Sequence, residues 1–161
     1  MAEKSKIELI KEFIETCPLL KNGKVNVDYI KDKPQSYSID ETPATTVLIQ
    51  YPDGGSRNQI LFDFSIQANF SVLENIKNSK FCDDFTAWIK EQDKIGNLPK
   101  IDGICWIKCT GRGTILQTTD TTAIYVIPMQ VVYEEDFWES SIFCIKGGKH
   151  NVKSRTISKE K

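Results

Sequence analysis

The chain is poor in the residues that most often carry chemistry. It has one histidine, His150, and no Gly-x-Gly-x-x-Gly or Gly-x4-Gly-Lys-Ser/Thr segment to cradle a phosphate. No apolar run approaches the roughly 18 residues that a membrane helix needs. The opening MAEKSKIELIKEF carries charge on every turn and no continuous apolar stretch, so a secretory signal is not expected. No charge of one sign dominates: the formal net charge is -1, which excludes a whole-molecule basic field for nucleic acid. The cysteines Cys17, Cys82, Cys105, Cys109 and Cys144 are odd in number and form no tight framework. Free thiols and a reducing, cytosolic compartment are the expectation.

What is present is ordinary globular composition. Hydrophobic residues make up 40% and charged residues 27% of 161, enough for one real core and too apolar for wholesale disorder. A Ser-x-x-Glu capping box at Ser5–Glu8 opens an amphipathic helix with Ile7, Ile10, Phe13, Ile14 and Cys17 on one stripe, ended by Pro18. Val25, Val27 and Tyr29 alternate with polar residues and predict a half-buried strand over 24–30. Residues 36–39 read as a strand or an extended arm, with Pro34 and Pro43 arguing against a central place in a sheet.

Residues 46–51, the turn signal Pro52-Asp-Gly-Gly55 and the long alternation from Ile60 through Phe62, Phe64, Ile66 and Ala68 to Phe70 predict an antiparallel hairpin over 46–70. A second Ser-x-x-Glu box, Ser71–Glu74, opens a helical region that takes in Leu73, Ile76, Phe81, Phe85, Trp88, Ile89 and Ile95. Asn78-Ser79 is where a break is expected, and Gly96 and Pro99 close it. Residues 104–109 and 114–117 alternate around Gly111 and Gly113, which predict a bulge or bend. Residues 122–133 form a return strand with Ala123, Tyr125, Ile127, Met129, Val131 and Tyr133 on one face. Pro128 inside it points to an edge position or a bulge.

The order of elements predicts an α+β fold, a mostly antiparallel sheet with helices on one face. Residues 1–139 make one domain and 140–161 a basic C-terminal extension. From Lys146 onward the chain has six cations (Lys146, Lys149, Lys153, Arg155, Lys159 and Lys161) against Glu160. Such a stretch cannot bury enough apolar surface to offset its ordering entropy, and is expected to serve as a docking arm or simply to stay solvated.

A search for catalytic groups finds little. His150 falls in the basic extension, away from any rigidly held partner. On a strand, Cys105 and Cys109 share a face but lie roughly 13 Å apart, too far for a disulfide or a shared zinc ion, and read as core thiols. Gly111-Arg112-Gly113 reads as a bend with an exposed arginine. Asp83-Asp84 and Glu134-Glu135-Asp136 read as helix and strand-end charge. No catalytic residue, cofactor site or metal site is expected. Phe62, Phe64, Phe70, Phe81, Phe85 and Trp88 fall on apolar stripes and read as core. Phe137 and Trp138, set among acids, fit a protein interface and a fold back onto the core equally well.

Several stretches together resemble the tail terminator family of tailed bacteriophages and phage tail-like particles, small proteins also described as head–tail joining or minor capsid proteins. They are Thr16-Cys-Pro18, Val25-Asn-Val-Asp-Tyr-Ile30, Tyr37-Ser-Ile-Asp40, Tyr51-Pro-Asp-Gly54, the Phe81-x-x-x-Phe85-x-x-Trp88-Ile89 pattern, Gly96-Asn-Leu-Pro99 and Val131-Val-Tyr133. Their order and spacing, over about residues 7–133, carry the resemblance. It implies an α+β subunit that forms a ring, usually of six, on the head-proximal end of a tail tube. The implied partners are sister copies, the tube protein and sheath, collar or neck/head-connector proteins. DNA would at most pass through the lumen, and assembly would take place in a host bacterial cytoplasm. The resemblance brings no catalytic residues, and it stops before residues 136–161.

In that setting the surfaces expected to meet a neighbour are Asp63, Gln67 and Asn69 on the long strand, Arg112, Phe137 and Trp138, and Lys146, Lys149, Lys153 and Arg155. Two other classes fit the composition: a small enzyme using a cysteine or carboxylate, and a stand-alone module for a peptide or small ligand.

Overall fold

The computed structural model describes residues 3–31 and 33–136. In chain order the elements are α1 (Lys6–Glu15), a 3-10 turn (Pro18–Leu20), β1 (Val25–Val27), β2 (Ser36–Thr42), β3 (Val47–Gln50), β4 (Ser56–Asn69), α2 (Val72–Ile95), β5 (Ile104–Cys109), β6 (Thr114–Thr118) and β7 (Thr122–Glu135). This is an α+β fold with a mostly antiparallel sheet.

The sheet is organised by one long ribbon. β4 and β7 pair along their whole length, from Ser56↔Glu135 to Asn69↔Thr122. β2 lies along the far side of β4 over residues 61–67, and β3 continues that side over 56–58. β5 lies along the far side of β7 over 129–133, and β6 continues it over 123–126. β1 adds to β2 as the parallel pair. β3 and β6 therefore stand at diagonally opposite corners of the ribbon.

Register fixes the faces. Phe62, Phe64 and Ile66 of β4 lie opposite Met129, Ile127 and Tyr125 of β7, and Ile39 and Tyr37 of β2 complete the same side. Both helices cover it. α1 begins at the expected capping box, with both reciprocal bonds in place, and buries Ile10, Phe13 and Ile14. α2 starts with Ser71 Oγ accepting from the Glu74 amide at 3.2 Å, and ends on Gly96 in the left-handed region, where a glycine carries no Cβ penalty. It buries Cys82, Phe85 and Ile89. Aromatic rings knit the layers: Phe64 and Phe85 stack at 4.5 Å, and Phe13 of α1 meets Trp88 of α2 at 5.3 Å. Phe62, Phe64 and Phe85 are fully buried, while Phe70, Phe81 and Trp88 pack against them half-buried. Each fully buried phenyl ring contributes roughly 1.5–3 kcal/mol of transfer free energy.

Several expectations need correction. The Asn78-Ser79 break does not occur, and α2 runs through it unbroken. Asn78 Nδ2 donates to the Asn69 carbonyl at 2.8 Å, so this poor helix former stays for a tertiary bond. The first strand stops at Val27, because Asp28 turns into the left-handed region at φ 52 and leaves Tyr29 exposed. β2 is interior to the sheet, since Pro34 and Pro43 fall just outside it.

Pro128 is neither at an edge nor in a bulge; it sits in the second long strand of the ribbon, opposite Asp63. Its carbonyl accepts from the Thr110 amide at 2.8 Å, so its own nitrogen faces the gap between β5 and β6, where the ladder is already interrupted. Cys105 and Cys109 are half-buried, not fully buried core thiols; Cys105 lies at the irregularity of β5 between Ile104 and Trp106.

Candidate functional site

Chemically reactive groups are few among the described residues. No three His, Cys, Asp or Glu side chains converge as they would around a metal ion. Burial pushes the thiols of Cys82 and Cys109 up to about 11, so both stay protonated near neutral pH and are poor nucleophiles. A cleft of about 210 Å3 lies beside the start of α2, lined by Lys21, Gln35, Tyr37, Lys77, Asn78 and Tyr125 among others. It is smaller than the roughly 300–1,000 Å3 of typical small-molecule sites. No helix among the described residues is long and apolar enough to cross a membrane.

Among the described residues, the two corners of the ribbon stand open. Every residue of β3 and every residue of β6 is exposed. In β3 these include Val47, Leu48 and Ile49; in β6, Ile115 and Leu116, the latter 71% exposed. Among the described residues, each of these strands pairs on one side only. Neither Val47-Leu-Ile-Gln50 nor Thr114-Ile-Leu-Gln-Thr118 contains a charge or a proline, the usual devices that keep a free strand edge from pairing with another chain.

The surroundings of the corners differ. At the β6 corner, Ile115 lies opposite Tyr125, whose hydroxyl donates to Asn75 Oδ1 of α2 at 3.3 Å. That bond ties the first turns of α2 to β7, the strand that β6 pairs with, and those turns expose Val72, Leu73 and Ile76. Leu73 and Ile76 belong to the apolar helical pattern in the sequence; the structure puts them outside. The stripe through Cys82, Phe85 and Ile89 reaches back to Asn75 and Asn78 at helical spacing, which leaves 73 and 76 on another side.

At the β3 corner, Arg57 and Glu134 face each other across β4 and β7 on the side of the sheet away from the helices. Arg57 Nη2 donates to Glu134 Oε1 at 2.6 Å, and the Tyr51 hydroxyl donates to the same oxygen at 3.0 Å. These bonds, that from Arg57 first, hold the Glu134 carboxyl below its ordinary value of 4.5. The Arg57 guanidinium also stands 5.7 Å from the Trp106 ring centre. The covered Trp106 indole N–H has no hydrogen-bond acceptor among the described residues.

The long-strand residues fare differently. Asp63 is half-buried on the outer face, between Asp40 and Pro128. Near it, the hydroxyls of Ser38 and Ser65 both donate to Asp40 Oδ2, at 3.0 and 3.1 Å. Gln67 is only 5% exposed, flanked by Ser36 and Ile124, so the chain itself covers it and it offers little to a neighbour. Asn69 is exposed at the end of β4. Arg112 is exposed as expected, in the connection between β5 and β6, 3.9 Å from Asp83 of α2. Phe137, Trp138, Lys146, Lys149, Lys153 and Arg155 lie outside the described residues, as does His150.

Sequence reasoning missed the open corners because an apolar strand looks the same whether it is covered or bare. The signal that was available is the lack of charge and proline in β3 and β6. Compared with protein-family models and with curated proteins, the chain matches none.

Proposed function

We propose that this chain is a structural subunit that assembles with copies of itself, in the manner of a tail terminator: a ring, of six in the usual case, that closes the head-proximal end of a phage tail or tail-like particle. The observation that carries the reading is the pair of uncharged, exposed edge strands at opposite corners of one long ribbon. Two different sticky surfaces on opposite sides of a subunit are what a head-to-tail contact needs, and such contacts generate closed rings when the rotation between copies closes. The Trp106–Arg57–Tyr51 group at one corner is of the residue types that dominate interface energetics.

In this reading the outer partners are a tube protein, with sheath, collar or neck proteins beyond it, and the chain performs no catalysis. The sequence resemblance supplies the particular particle; the edge strands supply the reason to assemble at all. The test is to purify particles through a tag on this chain and image them. A single ring of density at one end of each tail supports the reading. Recovery of the chain with no tail-like assembly, or turnover of a substrate by the isolated chain, overturns it.

A further inference from the structure

The assembly reading leaves open what fills the bare edge of β6. Residues 141–145 read Ser-Ile-Phe-Cys-Ile, an uncharged run of β-forming residues five long, the same length as β6. They lie beyond the described residues, which end at 136. We propose that residues 141–145 of one copy add as a strand to the open edge of β6 in the next copy. The proposal rests on the ring reading and names its contact.

Three observations support the proposal, and the first of them selects a second copy as the source. The first is reach. β7 ends at Glu135, opposite Ser56, which in turn pairs with Gln50 of β3. The chain therefore leaves the ribbon at the β3 corner. The nearest end of β6 is opposite Val126, nine strand residues away, or roughly 30 Å at ~3.3 Å per residue. Ile142 is seven residues past Glu135 and extends at most roughly 25 Å. A chain cannot lay this segment on its own β6, but a neighbour whose β6 corner meets this β3 corner receives it.

The second is charge. Residues 146–161 carry six cations against Glu160, a net +5, so residues 1–145 hold -6 of the overall -1. The stretch that follows the proposed strand is drawn to an acidic body, which the next copy presents as well as its own. The third is the bed. Ile115 and Leu116 of β6 are exposed apolar side chains on that edge, and α2, tied to the adjoining strand β7 through Asn75 and Tyr125, exposes Leu73 and Ile76. An added strand gains main-chain hydrogen bonds from the free edge, and its Ile and Phe side chains gain specificity from these neighbours.

The test uses the full chain. Cys144 lies within the segment and serves as a built-in probe. With Leu116→Cys, mild oxidation at low salt is expected to give a ladder of covalently linked chains, and adding Cys144→Ser is expected to abolish it. In sedimentation, deletion of 140–161 is expected to weaken self-association by about tenfold or more, equivalent to ~1.4 kcal/mol, with the cooperative melt retained. No ladder from Leu116→Cys, or a ladder that survives Cys144→Ser, overturns the proposal. So does a Cys144 link to Leu48→Cys within one chain in place of the intermolecular link, which would put the segment on the chain's own β3. Any of these results leaves the ring reading to be judged by the particle images.

Discussion

Arg57 and Glu134 face each other across the two long strands, with Nη2 2.6 Å from Oε1, at the corner where the chain leaves the sheet. Tyr51, on the turn after β3, shares the same carboxylate oxygen. The group ties the β3 turn to the last residues of β7, the two pieces that the proposed ring contact needs in register.

This carboxylate has a pH signature. Its folded-state pKa is depressed, so its contribution is fully present above the ordinary value of 4.5 and is lost as pH falls through the lower folded value. Thermal melts between pH 7 and pH 3 are expected to show a shallower acid decline for Glu134→Gln than for the unmodified chain. At pH 7 the substitution lowers Tm by a few °C at most, because the pair is partly exposed. An unchanged acid limb would contradict the assignment.

The aromatic stack sets the stability. Phe85→Ala removes a fully buried ring stacked on Phe64 and is expected to cost roughly 3–5 kcal/mol in a urea melt. Tyr29→Ala, on a 62% exposed side chain, is expected to cost under about 0.5 kcal/mol.

Two glycines with the same backbone sign separate strain from collision. Gly96 and Gly103 both have positive φ, 76 and 72. A Cβ on Gly96 meets nothing, whereas one on Gly103 runs into the Glu134 carbonyl. Gly96→Ala is expected to cost about 1 kcal/mol, the penalty of a left-handed alanine at a helix end. Gly103→Ala is expected to cost clearly more, and to loosen the bond from the Glu134 amide to the Gly103 carbonyl, 2.8 Å here. Hydrogen exchange at the Glu134 amide reads that loosening directly.

The thiols give a further check. With Cys82 and Cys109 pushed up to about 11, the thiolate fraction at pH 8 is on the order of one in a thousand. In Cys144→Ser protein, maleimide labelling at pH 8 is expected to reach Cys105 first, Cys82 and Cys109 much later. Rapid labelling of Cys82 in the folded chain would mean that α2 opens far more readily than its packing allows.

The fold was legible wherever one face of an element is buried and the other is not. The alternation of Ile60 to Ala68 and of Ala123 to Tyr133 gave both long strands and their inner faces, because period-two burial leaves one register for a ribbon. The two Ser-x-x-Glu motifs marked both helix starts, the first as a full capping box and the second through the Ser71 cap alone. What misled was punctuation read without its neighbours. Pro128 signals an edge only if the ladder beside it is continuous, and here β5 and β6 leave a gap at that point. Asn78 signals a break only if its amide has no tertiary partner, and here it holds the Asn69 carbonyl.

The candidate surfaces were less legible for the same physical reason. Gln67 alternates as an outward residue but lies under its own chain, and Leu73 and Ile76 continue the apolar helical pattern but are bare, because coverage depends on what lies above a face and periodicity reports only the face. Arg112 was readable, since two flanking glycines leave a loop with little to pack against.

The central claim is that the β3 corner of one copy meets the β6 corner of the next. Sedimentation of complementary corner variants tests it most directly. Leu48→Asp and Leu116→Asp each disable one corner, and each alone is expected to stay monomeric where the unmodified chain forms larger closed species. A one-to-one mixture of the two retains a single intact contact per pair and is expected to stop at dimers. An unmodified chain that remains a monomer at every concentration, or variants that assemble as it does, would contradict the account.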